Sequence, residues 1–291
     1  MSNLIVRTVT GIVYVAAIVT SMLRPEAMTV LFAIITGLTI WELCGLLNAD
    51  GRVSVNSLIT TVAGVYLFLA VAGFCSGITP AAVFVPYLLT IIYLFVSEIY
   101  TKTPDPIGNW AATTLTQMYV ALPLSTVSVL AFRAVPGGTV YTGIVPLAVF
   151  IILWASDTGA YCVGTLLGRR RLFPRISPKK SWEGSIGGAI LAVAAALVVA
   201  LVSGDTAHTP PRPGTFGYNP GLTMPQWVGL AIVVVVFGTW GDLVESLLKR
   251  TLGIKDSGTI LPGHGGMLDR FDSALIAMPA AVVYLYTLTA F

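Results

Sequence analysis

Two acidic residues near the C-terminal end of this sequence stand three positions apart in a segment rich in glycine. Asp269 and Asp272 belong to LPGHGGMLDRFDS, residues 261–273, although only 10% of the chain is charged. If their turn is helical, both carboxylates project to one side, beside the positive end of the helix. Such oxygens suit Mg²⁺, which takes one or two protein carboxylates together with substrate phosphates. The stretch therefore predicts a site for a metal and phosphates.

Further carboxylates lie within or beside apolar segments. Asp157 occurs in WASDTGAY and Asp242 in FGTWGDLVES. An ionisable group inside a membrane helix costs at least about 2.5 kcal/mol on insertion scales, so each needs a partner or a polar cavity. Helical spacing puts Asp242 on one face with Glu245, Ser246 and Lys249.

Two interpretations of Asp242 are open. It could form an internal ion pair that fixes helix packing, or it could join a cation site. The cation site explains more, because Asp269 and Asp272 start a second helix, and carboxylates from two helices could hold one or two ions. Two-metal sites stabilise the attacking and leaving oxygens of an in-line phosphoryl displacement.

Basic residues indicate the same class of substrate. GRRRLFPRISPKK, residues 168–180, carries six positive charges. One reading is a topology-setting loop that contacts anionic lipid head groups. The other is phosphate binding, since Ser177 and Ser181 flank Lys179 and Lys180, and Ser181 also suits the N-cap of the following helix.

The glycines near the C-terminal end add to this reading. Gly263, Gly265 and Gly266 would let backbone N–H groups approach an anion closely. Acids for a metal and bases for phosphates, next to a membrane, together predict an enzyme that acts on a nucleotide and a phospholipid.

The elements that must position these groups are membrane helices. The chain is 56% hydrophobic, with a mean hydropathy of +0.87. A membrane-spanning helix needs roughly 20 apolar residues, and only helices fit this pattern. We therefore predict an all-α, polytopic membrane protein with about nine transmembrane helices. They lie near residues 4–23, 28–47, 58–77, 81–99, 113–132, 144–164, 185–203, 226–246 and 273–291.

The basic residues also predict the topology. With the N-terminus in the cytoplasm, thirteen of the sixteen Lys and Arg residues fall on the inner side. Residues 165–183 and 247–271 are then inside, and the proline-rich loop 204–225 is outside. The polar clusters should converge on a cytoplasm-facing polar cavity. Glu42, at the cytoplasmic end of a span, is interpreted as an interfacial anchor.

From Ser246 to Asp272 the chain resembles the signature of the phosphatidate cytidylyltransferases, also called CDP-diacylglycerol synthases. SDTGAY (156–161), SPKKSWEG (177–184) and WEL (41–43) are similar to that family as well. The signature matches at thirteen positions: Ser246, Lys249, Arg250, Lys255, Asp256, Pro262, Gly263, His264, Gly265, Gly266, Asp269, Arg270 and Asp272.

The resemblance implies a reaction in which CTP and phosphatidate give CDP-diacylglycerol and pyrophosphate, with Mg²⁺ as cofactor. The number of ions is open, and a second or monovalent cation is compatible with it. It also implies a homodimer in the cell membrane, with a cytoplasm-facing site open to lipid, and no nucleic-acid partner. Residues 1–135 would form a transmembrane scaffold for lipid and dimer contacts. Residues 136–291 would form the catalytic region with the signature 246–272.

The same resemblance assigns roles to residues. Asp242 and Asp269 are the expected metal ligands, and further acids are second candidates: Asp272, Asp256 and Asp157. Cations expected to neutralise CTP phosphates are Lys249, Lys255 and Arg270. Lys179 and Lys180 are candidates for the phosphatidate head group or CTP. Other predicted substrate-binding residues are Ser177, Ser181, Ser246, Arg250, Gly265 and Gly266. His264 would either donate to the leaving group or order its loop.

Two other functions compete with this one. An ion-coupled membrane transporter would also use buried acids, but the sequence shows no internal repeat and no paired, glycine-interrupted spans. It would also leave PGHGGMLDRFD unexplained. A CTP-dependent polyprenol or lipid kinase is the nearer alternative, since such kinases share related motifs.

Overall fold

The computed structural model describes residues 3–203, 221–260, 263 and 265–288. The chain forms two compact units, each discontinuous in sequence. Unit 1 consists of Met1–Val129, Gly137–Thr139 and Thr251–Phe271, and unit 2 of Leu130–Pro136, Val140–Arg250 and Asp272–Phe291. Most of the predicted external loop, and His264, lie outside the described residues. The predicted division of roles near residue 135 stays a prediction.

Unit 1 is built from helices joined by short turns. A 3-10 turn, Ala81–Phe84, leads into the fourth helix, and a π-helical turn, Gln117–Ala121, joins the fifth to the sixth. The helices are α1 (Asn3–Ser21), α2 (Pro25–Ala49), α3 (Ser57–Cys75), α4 (Val85–Thr101), α5 (Pro106–Thr116) and α6 (Leu122–Ala131), which ends in unit 2.

Local sequence explains where several of these helices begin. The side chain of Asn56 accepts a hydrogen bond from the backbone N–H of Ile59 and caps α3. Asp105 accepts one from Gly108 and caps α5. Pro106 then occupies the start of α5, where its missing N–H costs no helical hydrogen bond.

One aromatic side chain anchors the part of the signature that lies in unit 1, residues 251–271, in the core of that unit. Phe271 is fully buried. Its ring lies edge-on to Phe32 of α2 and Tyr14 of α1, with centroid distances of 6.3 and 5.8 Å. Buried aromatic pairs of this geometry stabilise packing beyond their buried area, so the segment is an integral part of this unit.

Unit 2 contains four long helices and a small basic hairpin. The hairpin is antiparallel, with Arg171 opposite Ser181 and Phe173 opposite Ser177. Another two-stranded sheet, β1 (Phe132–Val135) with β2 (Gly138–Tyr141), precedes the first of these helices, and the first two residues of β2 belong to unit 1. The remaining elements are α7 (Ile144–Leu167), β3 (Arg171–Phe173), β4 (Ser177–Ser181), α8 (Trp182–Ser203), α9 (Met224–Thr251) and α10 (Leu268–Thr287), whose first turn belongs to unit 1.

The prediction of a polytopic helical membrane protein is confirmed. Within the described residues, seven helical segments are long and apolar enough to cross a membrane. They are Pro25–Ala49, Ser57–Cys75, Ala81–Thr101, Pro106–Ala131, Ile144–Leu167, Trp182–Ser203 and Met224–Thr251. The first and last predicted windows also form helices, α1 and α10, but neither is among these seven. The count of nine spans stays a prediction.

Candidate active site

Unit 2 contains a cavity of about 570 Å³ whose wall carries four of the predicted site residues: Asp157, Lys179, Lys180 and Ser181. Carboxylate, ammonium, guanidinium and hydroxyl groups face it together with glycines and apolar carbons. The other lining residues are Leu153, Ser156, Ala160, Tyr161, Gly164, Thr165, Gly168, Arg171, Gly184, Ser185, Val235, Gly238, Thr239 and Ser273. The cavity therefore draws on α7, β3, β4, α8, α9 and α10.

Glycines bring α7 and α8 close enough for their backbones to touch. A Cβ at Gly188 would lie 2.6 Å from the carbonyl oxygen of Ser156, and one at Gly159 would lie 2.7 Å from that of Gly187. Both distances are shorter than an ordinary C–H···O contact. This approach fixes the stretch of α7 that carries Asp157, so the carboxylate stands at the cavity wall.

Ser181 joins the basic hairpin to α8. Its Oγ accepts a hydrogen bond from the backbone N–H of Gly184 at 3.1 Å, and α8 begins at Trp182. This is the geometry of an N-cap, so that prediction is confirmed. The Ser181 side chain is buried, and a Cβ at Gly168 would lie only 2.8 Å from its Oγ.

The strand that enters the hairpin is held by a carboxylate. Glu183 accepts hydrogen bonds from the backbone N–H groups of Arg169 and Arg170, at 3.1 Å each. Across the hairpin, Nη1 of Arg171 donates to the carbonyl of Lys179 at 3.4 Å. The backbone is thereby shaped so that the side chains of Arg171 and Lys179 line the cavity.

Asp242 forms an ion pair at this site. Its Oδ2 lies 2.5 Å from Nζ of Lys180, and its Oδ1 accepts a hydrogen bond from Ser246 at 3.1 Å. Asp272 interacts electrostatically with Asp242, Asp157 and Lys180. The structure thus places Asp272 within electrostatic reach of two carboxylates that are far apart in sequence, and one of these, Asp242, is paired with Lys180.

A further glycine allows this convergence. A Cβ at Gly241 would lie 2.6 Å from the carbonyl oxygen of Asp272 and 2.9 Å from Cα of Ser273. The backbones of α9 and α10 therefore touch next to Asp242. Asp272 also accepts a hydrogen bond through Oδ1 from the N–H of Ser273, at 2.5 Å.

The last turns of α9 carry a second ion pair. Nζ of Lys249 lies 2.5 Å from Oε2 of Glu245, whose side chain is 1% exposed. The predicted helix face is therefore present, with Lys249 bound to a buried carboxylate. Arg250 is exposed in the same turn. Phosphate binding by these two cations stays a prediction.

The remaining signature residues lie in unit 1. Lys255 and Asp256 are exposed on the loop between α9 and α10, and Arg270 is exposed in the first turn of α10. Gly265 has a φ of +83°, a conformation that favours glycine. Asp269 accepts hydrogen bonds from the N–H groups of Ser257 and Gly266. The sequence predicted that the N–H of Gly266 would approach an anion. In the structure that anion is the carboxylate of Asp269.

The interpretation of Glu42 as an interfacial anchor is wrong. Glu42 is 8% exposed and accepts hydrogen bonds from the hydroxyl of Ser257 and from the N–H groups of Met267 and Leu268. Sequence reasoning missed this contact with the signature loop. The WEL motif was the available signal, because an acid among apolar residues needs a partner.

Comparisons with known proteins identify the family of this chain. A model of the cytidylyltransferase family matches residues 5–288. A phosphatidate cytidylyltransferase of Bacillus subtilis (strain 168) is 45% identical over 142 residues, 48% of this chain and 45% of that protein. Those of Staphylococcus aureus (strain COL) and Staphylococcus saprophyticus are 40% and 42% identical over 141 residues, 48% of each chain. The chain thus spans about half the length of these relatives. Because the family model covers nearly the whole sequence, the chain belongs to the cytidylyltransferase family.

Proposed function

We propose that this protein transfers CMP from CTP to phosphatidate, giving CDP-diacylglycerol and pyrophosphate. The observation that carries the proposal is the unit 2 cavity, which is lined by Asp157 and by bases of the hairpin, one of which, Lys180, pairs with Asp242. The signature and the names of the similar bacterial proteins support the same reaction.

Both substrates are polyanions, and the cavity has groups to receive them. Arg171, Lys179 and Lys180 line it, and cations so placed bind phosphate oxygens. Its volume lies within the usual range for small-molecule sites. Beside the hairpin, Leu166 and Trp182 are 82% and 56% exposed. Exposed apolar side chains next to bases suit a lipid whose head group enters while its acyl chains stay outside.

The proposed reaction requires little proton transfer by the protein. A phosphate oxygen of phosphatidate attacks the α-phosphorus of CTP, and the bond from that phosphorus to the bridging oxygen breaks. The bonding electrons leave with pyrophosphate. Since the attacking oxygen is already anionic, no strong general base is needed. The residues must bring two polyanions together and stabilise the charge that moves onto pyrophosphate, which is the role we propose for the cavity cations.

Mg²⁺ is the proposed cofactor. The described residues contain no group of three or more His, Cys, Asp or Glu side chains that could hold a metal. Mg²⁺ does not require one, because it takes one or two carboxylates and completes its shell with phosphates and water. The ion pair of Lys180 with Oδ2 of Asp242 supports a cation at this carboxylate. On the strength of the family resemblance alone, we propose Asp242 and Asp269 as ligands, with Asp157 and Asp272 as further candidates. Bound Mg²⁺ would neutralise charge on the triphosphate.

The proposal extends to the setting of the enzyme. The excess of bases on one side of the predicted topology supports a site that faces the cytoplasm, and the bacterial relatives support the cell membrane. A homodimer remains part of the proposal through the family resemblance alone.

Position-specific labels test the reaction. Purified protein is given CTP labelled at the α- or the γ-phosphate, with phosphatidate, diacylglycerol or polyprenol as acceptor. We expect α-label in the lipid product, dependent on both phosphatidate and Mg²⁺. Appearance of γ-label in the lipid would instead establish a lipid kinase. If folded protein transfers neither label, the ion-coupled transporter becomes the favoured function.

A further inference from the structure

A buried carboxylate of α2 holds the signature loop. Oε1 of Glu42 accepts hydrogen bonds from Oγ of Ser257 at 2.5 Å and from the N–H of Leu268 at 3.0 Å. Oε2 accepts one from the N–H of Met267 at 2.9 Å. Glu42 thus contacts both ends of the segment between Ser257 and Leu268, although it lies 215 residues from Ser257.

A second carboxylate closes the same segment from within. Oδ2 of Asp269 accepts hydrogen bonds from the N–H of Ser257 at 3.0 Å and from that of Gly266 at 2.9 Å. The N–H of Asp269 donates back to Oγ of Ser257 at 3.3 Å. Ser257 therefore links the two carboxylates, and the ends of the segment are tied together by Glu42 and Asp269.

Two glycines make room for Glu42. A Cβ at Gly258 would lie 2.6 Å from its Oε2, and a Cβ at Gly266 would collide with its Oε1. The loop backbone is therefore built around this carboxylate. Burying a charge is costly unless it is hydrogen-bonded. Glu42 has three hydrogen-bond donors: the Ser257 hydroxyl and the N–H groups of Met267 and Leu268. The last two lie at the positive, N-terminal end of α10.

We propose that Glu42 is a positioning residue for cytidylyl transfer: it holds the loop before α10 so that Lys255, Asp256, Asp269 and Arg270 meet the nucleotide. The inference rests on the proposed function. Glu42 is fully engaged by the protein's own groups, so it acts through the loop and does not contact substrate. No feature of α2 alone, such as an amphipathic face, calls for an acid at this position.

The test separates loop positioning from a local helix cap. Hydrogen exchange, resolved to single amides, is measured in Glu42→Gln and Glu42→Ala. Met267 and Leu268 lose their acceptor directly and will exchange faster in either case. The amides of Ser257 and Gly266 are bonded to Asp269, so they report whether Glu42 holds the loop. We expect their exchange to accelerate about tenfold in Glu42→Gln, as for the loss of one hydrogen bond to a charged group, and more in Glu42→Ala.

Glu26→Gln is the matched control, because it makes the same change on an exposed position of α2 and should match the wild type.

Ser257→Ala is the milder variant should Glu42→Ala not fold. It removes the hydroxyl that joins Glu42 to the loop and keeps the carboxylate. We expect it to accelerate exchange at Gly266.

Kinetics give the second readout. A loss of folded protein lowers kcat and leaves KM unchanged. A loop that Glu42 no longer holds raises KM for CTP, because only the fraction of molecules in the binding conformation binds. We expect KM to rise about tenfold or more in Glu42→Ala, with a smaller change in kcat.

Unchanged exchange at Ser257 and Gly266 in the Glu42 variants would overturn the inference. So would faster exchange with KM and kcat equal to those of Glu26→Gln. Wild-type protein without transferase activity would refute the proposed function, whereas the exchange data would still decide whether Glu42 holds the loop.

Discussion

Gly188, near the start of α8, allows a quantitative test of how the cavity wall is built. A Cβ at this position would lie 2.6 Å from the carbonyl oxygen of Ser156 and 3.1 Å from its Oγ. Ordinary C–H···O contacts have C···O distances of about 3.3 Å or more, so Gly188→Ala requires α7 and α8 to separate by about 0.7 Å. Overpacking of this kind costs about 1–3 kcal/mol. We expect a destabilisation of about 2 kcal/mol.

The assay is thermal unfolding of the purified protein, with kcat/KM measured below the transition. At about 2–4 °C per kcal/mol, Tm should fall by about 4–8 °C. Activity should fall as well, because Ser156 precedes Asp157 on the cavity wall. Gly45→Ala in α2 is the matched control: a Cβ there meets no atom within 4 Å. Alanine is the better helix former by about 0.5–1 kcal/mol, so Tm should stay constant or rise.

The same substitution, glycine to alanine, is therefore expected to lower Tm at Gly188 and to leave it constant or raise it at Gly45. A Tm of Gly188→Ala at or above that of the wild type would refute the close approach of α7 and α8. An equal fall in Gly45→Ala would show that the loss reflects glycine replacement in general and not this contact.

Three further predictions concern the charged groups and the topology. Asp242→Asn and Asp269→Asn should each remove nearly all turnover from folded protein; a variant that keeps more than about a tenth, a barrier change below about 1.4 kcal/mol, would no longer count as a metal ligand. Lys180→Met should lower kcat/KM about tenfold or more, since it removes a charge-assisted contact worth about 1.5–3 kcal/mol, and wild-type kinetics would exclude Lys180 from substrate binding. In a Cys-free background, single cysteines in 165–183 should resist an impermeant thiol reagent added outside while those in 204–225 react, and the reverse pattern would invert the proposed orientation.

The local features of this protein were predictable because they depend on neighbouring residues. Long apolar windows predicted the spans, since a bilayer requires about 20 such residues per helix. Ser181 was predicted as an N-cap from its place before an apolar helix, and the hydrogen bond from Gly184 confirms it. The spacing of Asp242, Glu245, Ser246 and Lys249 likewise predicted a shared helix face. The hydrogen bond that Ser246 donates to Asp242 and the ion pair of Lys249 with Glu245 both lie on it.

By itself, the sequence determined the helical membrane architecture and the kinds of chemical group available, because hydropathy and motif spacing are properties of short segments. It did not determine which groups meet. Only the tertiary structure decided that Lys180 pairs with Asp242, that Asp272 joins them, and that Glu42 binds the loop 215 residues further on. Such contacts depend on how closely helices approach, here set by glycines whose missing Cβ atoms leave room for backbone or carboxylate. The order of residues along the chain does not specify how closely two helices approach.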